Sequence, residues 1–283
     1  MTPVSVTTAA ELAAAVRQAK ARGERVGLVP TMGALHAGHA SLIRAARQET
    51  GFVVVSIFVN PTQFGPAEDF ARYPRTPEHD LAVCAAERAD LVFAPPVEEV
   101  YPPGFCTFVE VTGLQDVLCG RSRPGHFRGV ATVVLKLLNL VQPDVAYFGQ
   151  KDAQQVRIIR QMVRDLNVPV EVRVCPIVRE PDGLALSSRN AYLTPEQRRH
   201  ATALYRALTA ARELVEAGER DAGTVRAAMA GIIAATPGAV LDYADVVDAE
   251  TLRPVPRIAG KVLAALAVKF GATRLIDNLL LTV

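Results

Sequence analysis

The 283-residue sequence has almost no net charge: 31 Lys plus Arg face 29 Asp plus Glu, a formal balance of +2. Such a chain spreads no broad positive field, which excludes nucleic acid as an expected partner and leaves any functional charge to local clusters. Cysteine is scarce as well. Cys84, Cys106, Cys119 and Cys175 form no C-x-x-C pair and no zinc spacing, so they are read as reduced thiols in a chain too large to need disulfide staples. No apolar run reaches membrane-spanning length, and the first 27 residues lack a basic leader followed by an apolar core, so no membrane association and a cytoplasmic location are expected. No internal repeat or low-complexity tract is present.

What the sequence does have is apolar material. Half of its residues are hydrophobic and 21% are charged, enough for a sizeable core with no sign of extensive disorder. The length predicts two domains. Leu12, Val16 and Ala19 recur at helical spacing behind Thr7 or Thr8 as a cap. Short apolar runs at 26–29, 53–59 and 91–93 alternate with helical patterns, as buried parallel strands do. A helix is expected at 130–141, a strand at 145–148, a helix at 154–166 and a strand at 170–178. Glu180-Pro181-Asp182-Gly183 is a turn signal that marks a boundary. Beyond it, helical segments beginning near Pro195 and Asp221 precede three short strands at 241–247, 262–268 and 273–279. The expected fold is α/β: a Rossmann-like parallel sheet with helices on both faces in residues 1–180, and a smaller α+β domain in 181–283.

The segment Val26-Gly27-Leu28-Val29-Pro30-Thr31-Met32-Gly33-Ala34-Leu35-His36-Ala37-Gly38-His39 reads as strand, glycine-containing turn and helix start. Glycines there let backbone approach a ligand, and a helix beginning near Gly38 would aim open N–H groups and its positive end at an anion. Two imidazoles three residues apart offer further donors to phosphate oxygens. A His-x-x-His could instead bind metal, but no third ligand lies nearby, and the position after the first strand of a parallel sheet is where such folds bind nucleotides. Asn60 and Gln63, at the end of the next strand, carry amides suited to a hydroxy acid. Arg123-Pro124-Gly125-His126-Phe127-Arg128-Gly129 sets three basic or titratable groups at a helix start, where they could face phosphates or a carboxylate. Phe148-Gly149-Gln150-Lys151-Asp152 again follows a strand and opens a helix. Between the domains, Asp182-Gly183-Leu184-Ala185-Leu186-Ser187-Ser188-Arg189-Asn190 is read as a mobile hinge carrying two hydroxyls and a guanidinium that could close over phosphates.

His36-Ala37-Gly38-His39 resembles the H-x-G-H signature of the nucleotidylyltransferase superfamily. Pro30 to His36 is similar to the form used by pantothenate synthetases. Ser56-Ile57-Phe58-Val59-Asn60-Pro61-Thr62-Gln63-Phe64, the Arg123 to Val130 block, Gly149 to Gln155 and Asp182 to Asn190 resemble that family's remaining blocks, in order, over nearly the whole chain. The resemblance implies a cytoplasmic, homodimeric, AMP-forming ligase that joins pantoate to β-alanine through a pantoyl-adenylate. ATP would be a substrate and Mg2+ would arrive with it, with no resident metal. It also implies ATP contacts at Met32, Gly33, Ala34, Leu35, His36, Ala37, Gly38, His39, Gly149, Gln150, Lys151, Asp152, Val178, Leu186, Ser187, Ser188 and Arg189. Pantoate contacts are implied at Gln63, Gln155 and Asn60, catalytic roles at His36, His39 and Lys151, and a lid role for 181–283. Two positions depart from the family's pattern, since Gln150 and Cys119 stand where glutamates are usual, and each removes a carboxylate. The competing readings are another nucleotidylyltransferase of the superfamily and a noncatalytic nucleotide sensor.

Overall fold

The chain is described here by a computed structural model that covers residues 2–66 and 68–283. It forms two compact units, one of Met1–Gln115, Arg123–Gln150 and Gln155–Pro176, the other of Asp116–Ser122, Lys151–Gln154 and Ile177–Val283.

In the first unit, helix α1 (Ala9–Ala21) starts at Thr8, whose hydroxyl accepts from the Glu11 amide while the Glu11 carboxylate accepts from the Thr8 amide. This reciprocal cap satisfies amides that have no partner within the helix. Leu12, Val16 and Ala19 are the buried stripe that their spacing predicted. Six strands, β1 (Val4–Val6), β2 (Val26–Thr31), β3 (Phe52–Ile57), β4 (Leu91–Phe93), β5 (Val145–Gly149) and β6 (Glu171–Cys175), form one parallel sheet in the order β1-β4-β3-β2-β5-β6. Successive strand residues point to opposite faces. Val29, Val53, Val55, Val92, Val145 and Tyr147 turn toward Leu42, Ile43 and Ala46 of α2 (Ala37–Glu49) and Cys84 of α3 (Pro77–Ala86). Leu28, Val54, Phe93, Ala146 and Phe148 alternate with them and are equally buried, on the side where α1 and α6 (His126–Val141) pack on β2 and on each other. Helices thus cover both faces of a Rossmann-like α/β sheet, as expected.

Several boundaries differ from the sequence expectation. Helix α6 begins at His126 rather than at 130, because Gly125 takes a left-handed backbone (φ 81°) that starts the helix a turn earlier. The strands expected to reach 59 and 178 stop at Ile57 and Cys175, ahead of Pro61 and Pro176. Strand β1 and helix α3 were not foreseen: the first is three residues long, and the second has little amphipathic contrast. Short α4 (Val97–Val100), α5 (Cys119–Ser122) and α7 (Ala153–Asp165) complete this part of the chain.

The strand order places a topological switch at β2, since the chain moves from β2 to β3 and then β4 on one side before returning to β5 on the other. Ligands of such sheets bind beyond the carboxyl ends of the strands at that point. Pro30 sits in β2 although a central strand normally excludes proline. The β2–β5 ladder spans only Gly27 and Leu28, so Pro30 lies past its end, where its missing N–H breaks no bond to β5 and the two strands part.

The second unit packs α8 (Pro195–His200), α9 (Ala203–Glu216) and α10 (Ala222–Ala234) with an antiparallel sheet β7 (Ala239–Asp248), β8 (Lys261–Phe270) and β9 (Thr273–Thr282). Its core joins Leu204, Leu208 and Ala211 of α9, Val225, Met229 and Ile233 of α10, and Val262, Leu266 and Val268 of β8. The single helical segment expected from Pro195 is two helices, α8 and α9. Each of the three strands runs longer than its apolar run suggested.

In the first unit α6 also packs on the 3₁₀ turn Pro61–Gln63 that follows β3. A Cβ at Gly129 would lie 2.4 Å from the Thr62 carbonyl oxygen and 2.7 Å from the Gln63 amide. Gly129→Ala is therefore expected to cost about 1–3 kcal/mol, read as a lowered urea midpoint; an unchanged midpoint would contradict this packing.

Candidate active site

The turn after β2 is held from behind. The buried carboxylate of Asp80, on α3, accepts from the amides of Ala34 (3.1 Å) and Leu35 (2.8 Å) and from the Thr76 hydroxyl (3.1 Å). Thr31 Oγ1 donates to the Ser56 carbonyl and accepts from the Gly33 amide. Gly33 (φ 80°) and Ala34 (φ 51°) both take the left-handed conformation, and a Cβ on Gly33 would come within 2.9 Å of Asp80. Glycine is needed there on both counts. Asp80 was not named from the sequence, because α3 itself was not seen; an Asp three residues into a helix carries no local signal of a tertiary partner.

His36 is the N-cap of α2 and His39 its third residue, and together they form a capping box made of imidazoles. His36 Nδ1 accepts from the Gly38 amide (3.1 Å), and His39 Nδ1 accepts from the His36 amide (3.3 Å). The rings lie 4.2 Å apart. An imidazole nitrogen that accepts an N–H carries no proton, so in each neutral ring the proton sits on Nε2. The sequence expectation needs one correction: the Gly38 amide is not open, because the His36 ring takes it. The two imidazoles stand at the positive end of a helix with no acidic residue in its first turn.

At the end of β3, Asn60 is 1% exposed and Gln63 8%. Asn60 donates to Gln63 Oε1 (3.0 Å) and to the Gly129 carbonyl (3.1 Å), and Gln63 Nε2 contacts Met32 Sδ at 2.8 Å. Met32, Asn60 and Gln63 are thereby brought together. Arg123 and His126 brace the same turn: Arg123 pairs with Glu68 and donates to His126 Nε2 (3.0 Å), and His126 Nδ1 donates to the Gln63 carbonyl (2.8 Å). That block therefore supports the Gln63 turn by these bonds. Gly149 ends β5 beside the switch, and Gln150 follows it in the 3₁₀ turn Gln150–Asp152, with Gln155 in the first turn of α7.

In the second unit, Lys151 Nζ lies 3.9 Å from Asp152, and the Lys151 carbonyl accepts from Asn278 (2.8 Å). The segment expected to be a hinge is a tight hairpin. Leu186 donates to the Val178 carbonyl and Glu180 to that of Leu184, and Ser187 Oγ accepts from the Arg189 amide (3.3 Å) at the start of the 3₁₀ turn Ser188–Tyr192. Arg179 anchors it through a bidentate pair with buried Asp277 (2.6 and 2.9 Å) and a bond to the Gly183 carbonyl. Burial pushes the Asp277 carboxyl up despite the Arg179 guanidinium. Cys119 Sγ lies 3.5 and 3.6 Å from the Arg274 guanidinium nitrogens and 3.1 Å from Tyr243 Oη. Arg274 also pairs with the Asp242 carboxylate (2.7 and 2.9 Å). Gln154 binds the Cys119 amide and the Val117 carbonyl, which gives it a structural role.

A parallel α/β sheet with an imidazole-capped helix at its switch point defines the class: a nucleotide-binding α/β enzyme fold. Comparison with known proteins makes this specific. The sequence model of one family, described as Pantoate-beta-alanine ligase, matches residues 4–280. The chain is 62% identical to the pantothenate synthetase of Moorella thermoacetica over 268 residues, 95% of each chain, and 56% identical to that of Acetivibrio thermocellus over 278 residues, 98% of this chain and 99% of that one. A crystal structure of pantothenate synthetase from Thermus thermophilus superposes with a TM-score of 0.93 at 51% identity, covering 98% of both chains. One of pantoate-beta-alanine ligase from Francisella tularensis, complexed with beta-gamma ATP and beta-alanine, superposes with a TM-score of 0.79 at 35% identity, covering 98% of this chain and 97% of that one. The chain belongs to the pantoate-beta-alanine ligase family, and it is a ligase. Among the described residues, no helix is long and apolar enough to cross a membrane.

Two outcomes are expected from this geometry. Asp80→Ala leaves the Ala34 and Leu35 amides without their acceptor, at about 1–3 kcal/mol each; it should lower the urea midpoint and raise the KM for ATP about tenfold, and unchanged values for both would refute the anchoring role. The second concerns Glu68. Burial raises its carboxyl, but the bonds from Arg123 outweigh burial and leave it below the usual carboxylate range. A lowered folded pKa contributes stability above the unfolded value, near pH 4, that is lost as pH falls further. The urea midpoint of Glu68→Gln should therefore fall less steeply than that of the unaltered chain below about pH 4; parallel curves would show that Glu68 contributes nothing there.

Proposed function

We propose that the chain makes pantothenate in two half-reactions. In the first, a pantoate carboxylate oxygen attacks the α-phosphorus of ATP, and pyrophosphate leaves with the electrons of the broken P–O bond. In the second, the β-alanine amine attacks the acyl carbon of the pantoyl-adenylate, and AMP leaves as the amide forms. Joining an acid to an amine in water needs such activation, because a free carboxylate has no adequate leaving group. The observation that carries the reading is the imidazole-capped helix at the switch point of the sheet, in a chain of this family.

His36 and His39 offset charge growing on the phosphates with Nε2–H donors already in place, so little reorganisation is needed as the reaction proceeds. Met32 to His39 with Gly149 and Gln150 surround the nucleotide. Lys151 supplies a point charge, and Asp152, Val178, Leu186, Ser187, Ser188 and Arg189 serve the same substrate. Mg2+ enters with ATP as its counter-ion. Gln63 and Gln155 hold pantoate, and Asn60 acts by holding Gln63. No side chain forms a covalent bond to substrate, so catalysis rests on positioning and electrostatics. Residues 181–283 as a lid that excludes water, a homodimer and a cytoplasmic location belong to the same proposal; the family resemblance supports them.

The test is isotope exchange. With MgATP, label from pyrophosphate should enter ATP only when pantoate is present, and β-alanine should then yield pantothenate and AMP. His39→Ala or Lys151→Ala should each slow exchange at least about 100-fold, with the urea midpoint kept in Lys151→Ala and lowered in His39→Ala only by the lost cap bond, about 1 kcal/mol. Exchange without pantoate, or no exchange at all, would overturn the proposal, and near-normal exchange in both variants would refute the assigned roles.

A further inference from the structure

The orientation of a side-chain amide follows from its partners, and two partners of Asn60 have fixed chemistry. The Thr62 amide can only donate, and it lies 3.3 Å from Asn60 Oδ1. The Gly129 carbonyl can only accept, and it lies 3.1 Å from Asn60 Nδ2. Oxygen and nitrogen of Asn60 are therefore distinguished by backbone groups alone. Nδ2 then has a second proton, aimed at the Gln63 amide 3.0 Å away, which must present its oxygen. The other end of Gln63 is consequently its NH2 group, the end in contact with Met32 Sδ. A thioether sulfur is a weak acceptor and no donor, so this contact has the same polarity.

Asn60 Oδ1 is itself gripped by hydroxyls. Tyr101 Oη donates to it at 2.8 Å and Thr62 Oγ1 at 2.9 Å, and the two hydroxyls are 3.2 Å apart. Tyr101 follows α4 and is wedged between Phe58 and Phe105, with ring centroids 6.1 and 5.0 Å away.

We propose that Tyr101 holds Asn60, whose own orientation the Thr62 amide and the Gly129 carbonyl fix, in the place from which it orients the Gln63 amide, so that an N–H donor faces an oxygen of the acid substrate. Tyr101 is then a positioning residue for that substrate. Gln63 recognises lone pairs on a carboxylate or hydroxyl oxygen and does not accept the hydroxyl proton. The inference rests on the reading that Gln63 binds pantoate.

Three variants of the full chain test it, with KM for pantoate and for ATP measured separately by pyrophosphate exchange. Tyr101→Phe should raise the pantoate KM about threefold to tenfold and leave the ATP KM within twofold. Asn60→Asp has no N–H to offer, so Gln63 must turn its NH2 inward and face the substrate with oxygen. The pantoate KM should then rise more than tenfold and recover in part at low pH, where protonation of the introduced carboxylate restores a donor. Gln63→Glu, which keeps the acceptor and loses the outward donor, should be at least as impaired. An unchanged pantoate KM in Tyr101→Phe, or a rise matched by the ATP KM, overturns the relay while the function stands. Absence of pantoate-dependent exchange in the unaltered chain overturns the function and the relay with it. If Asn60→Asp does not fold, Tyr101→Phe decides alone.

Discussion

The bonds that the Asp80 carboxylate accepts from the amides of Ala34 and Leu35 fix the turn on which the rest of the site is built. With that turn held, His36 arrives in an extended conformation at the start of α2, and its ring can accept from the helix it caps. The cap in turn assigns the protons of both imidazoles. The tautomer of two imidazoles at the positive end of a helix thus traces back to a carboxylate on a different helix. The sheet contributes by opening past Leu28, where the β2–β5 ladder stops short of Pro30.

The two features proposed to face substrate use different physics. At the histidines, helix dipole and N–H donors favour developing negative charge, which suits phosphates whose charge changes during reaction. At Gln63, a neutral amide in a buried network selects by hydrogen-bond polarity, and a mismatched partner there leaves a buried group unpaired. Rigidity is common to both. Gly129 lets α6 approach the Gln63 turn, and Arg123 with His126 ties down the Gln63 carbonyl.

Much of this was legible in the sequence, for reasons that differ by element. The strands β2 to β5 were visible because buried parallel strands are continuous apolar runs, and α1 because Leu12, Val16 and Ala19 keep helical spacing behind a capping threonine. The motif from Pro30 to His39 declared its strand, turn and helix in order. What stayed hidden depends on tertiary partners. Asp80 and Tyr101 lie 46 and 41 residues from the atoms they hold, and nothing local marks them. Gly38 was read as leaving its amide open, since a histidine that accepts from a backbone N–H is not a feature of composition. Asn60 was read as a substrate contact on the type of its side chain, whereas its carboxamide is taken up by Thr62, Tyr101, Gly129 and Gln63.

The central claim is that the acid's own oxygen attacks the α-phosphorus at the histidine-capped helix. It is tested most directly with pantoate carrying 18O in its carboxylate, incubated with MgATP and β-alanine, followed by mass analysis of the products. The account predicts one 18O in AMP for each pantothenate formed and none in pyrophosphate. Label in inorganic phosphate with ADP as the other product, or AMP without label, would contradict it.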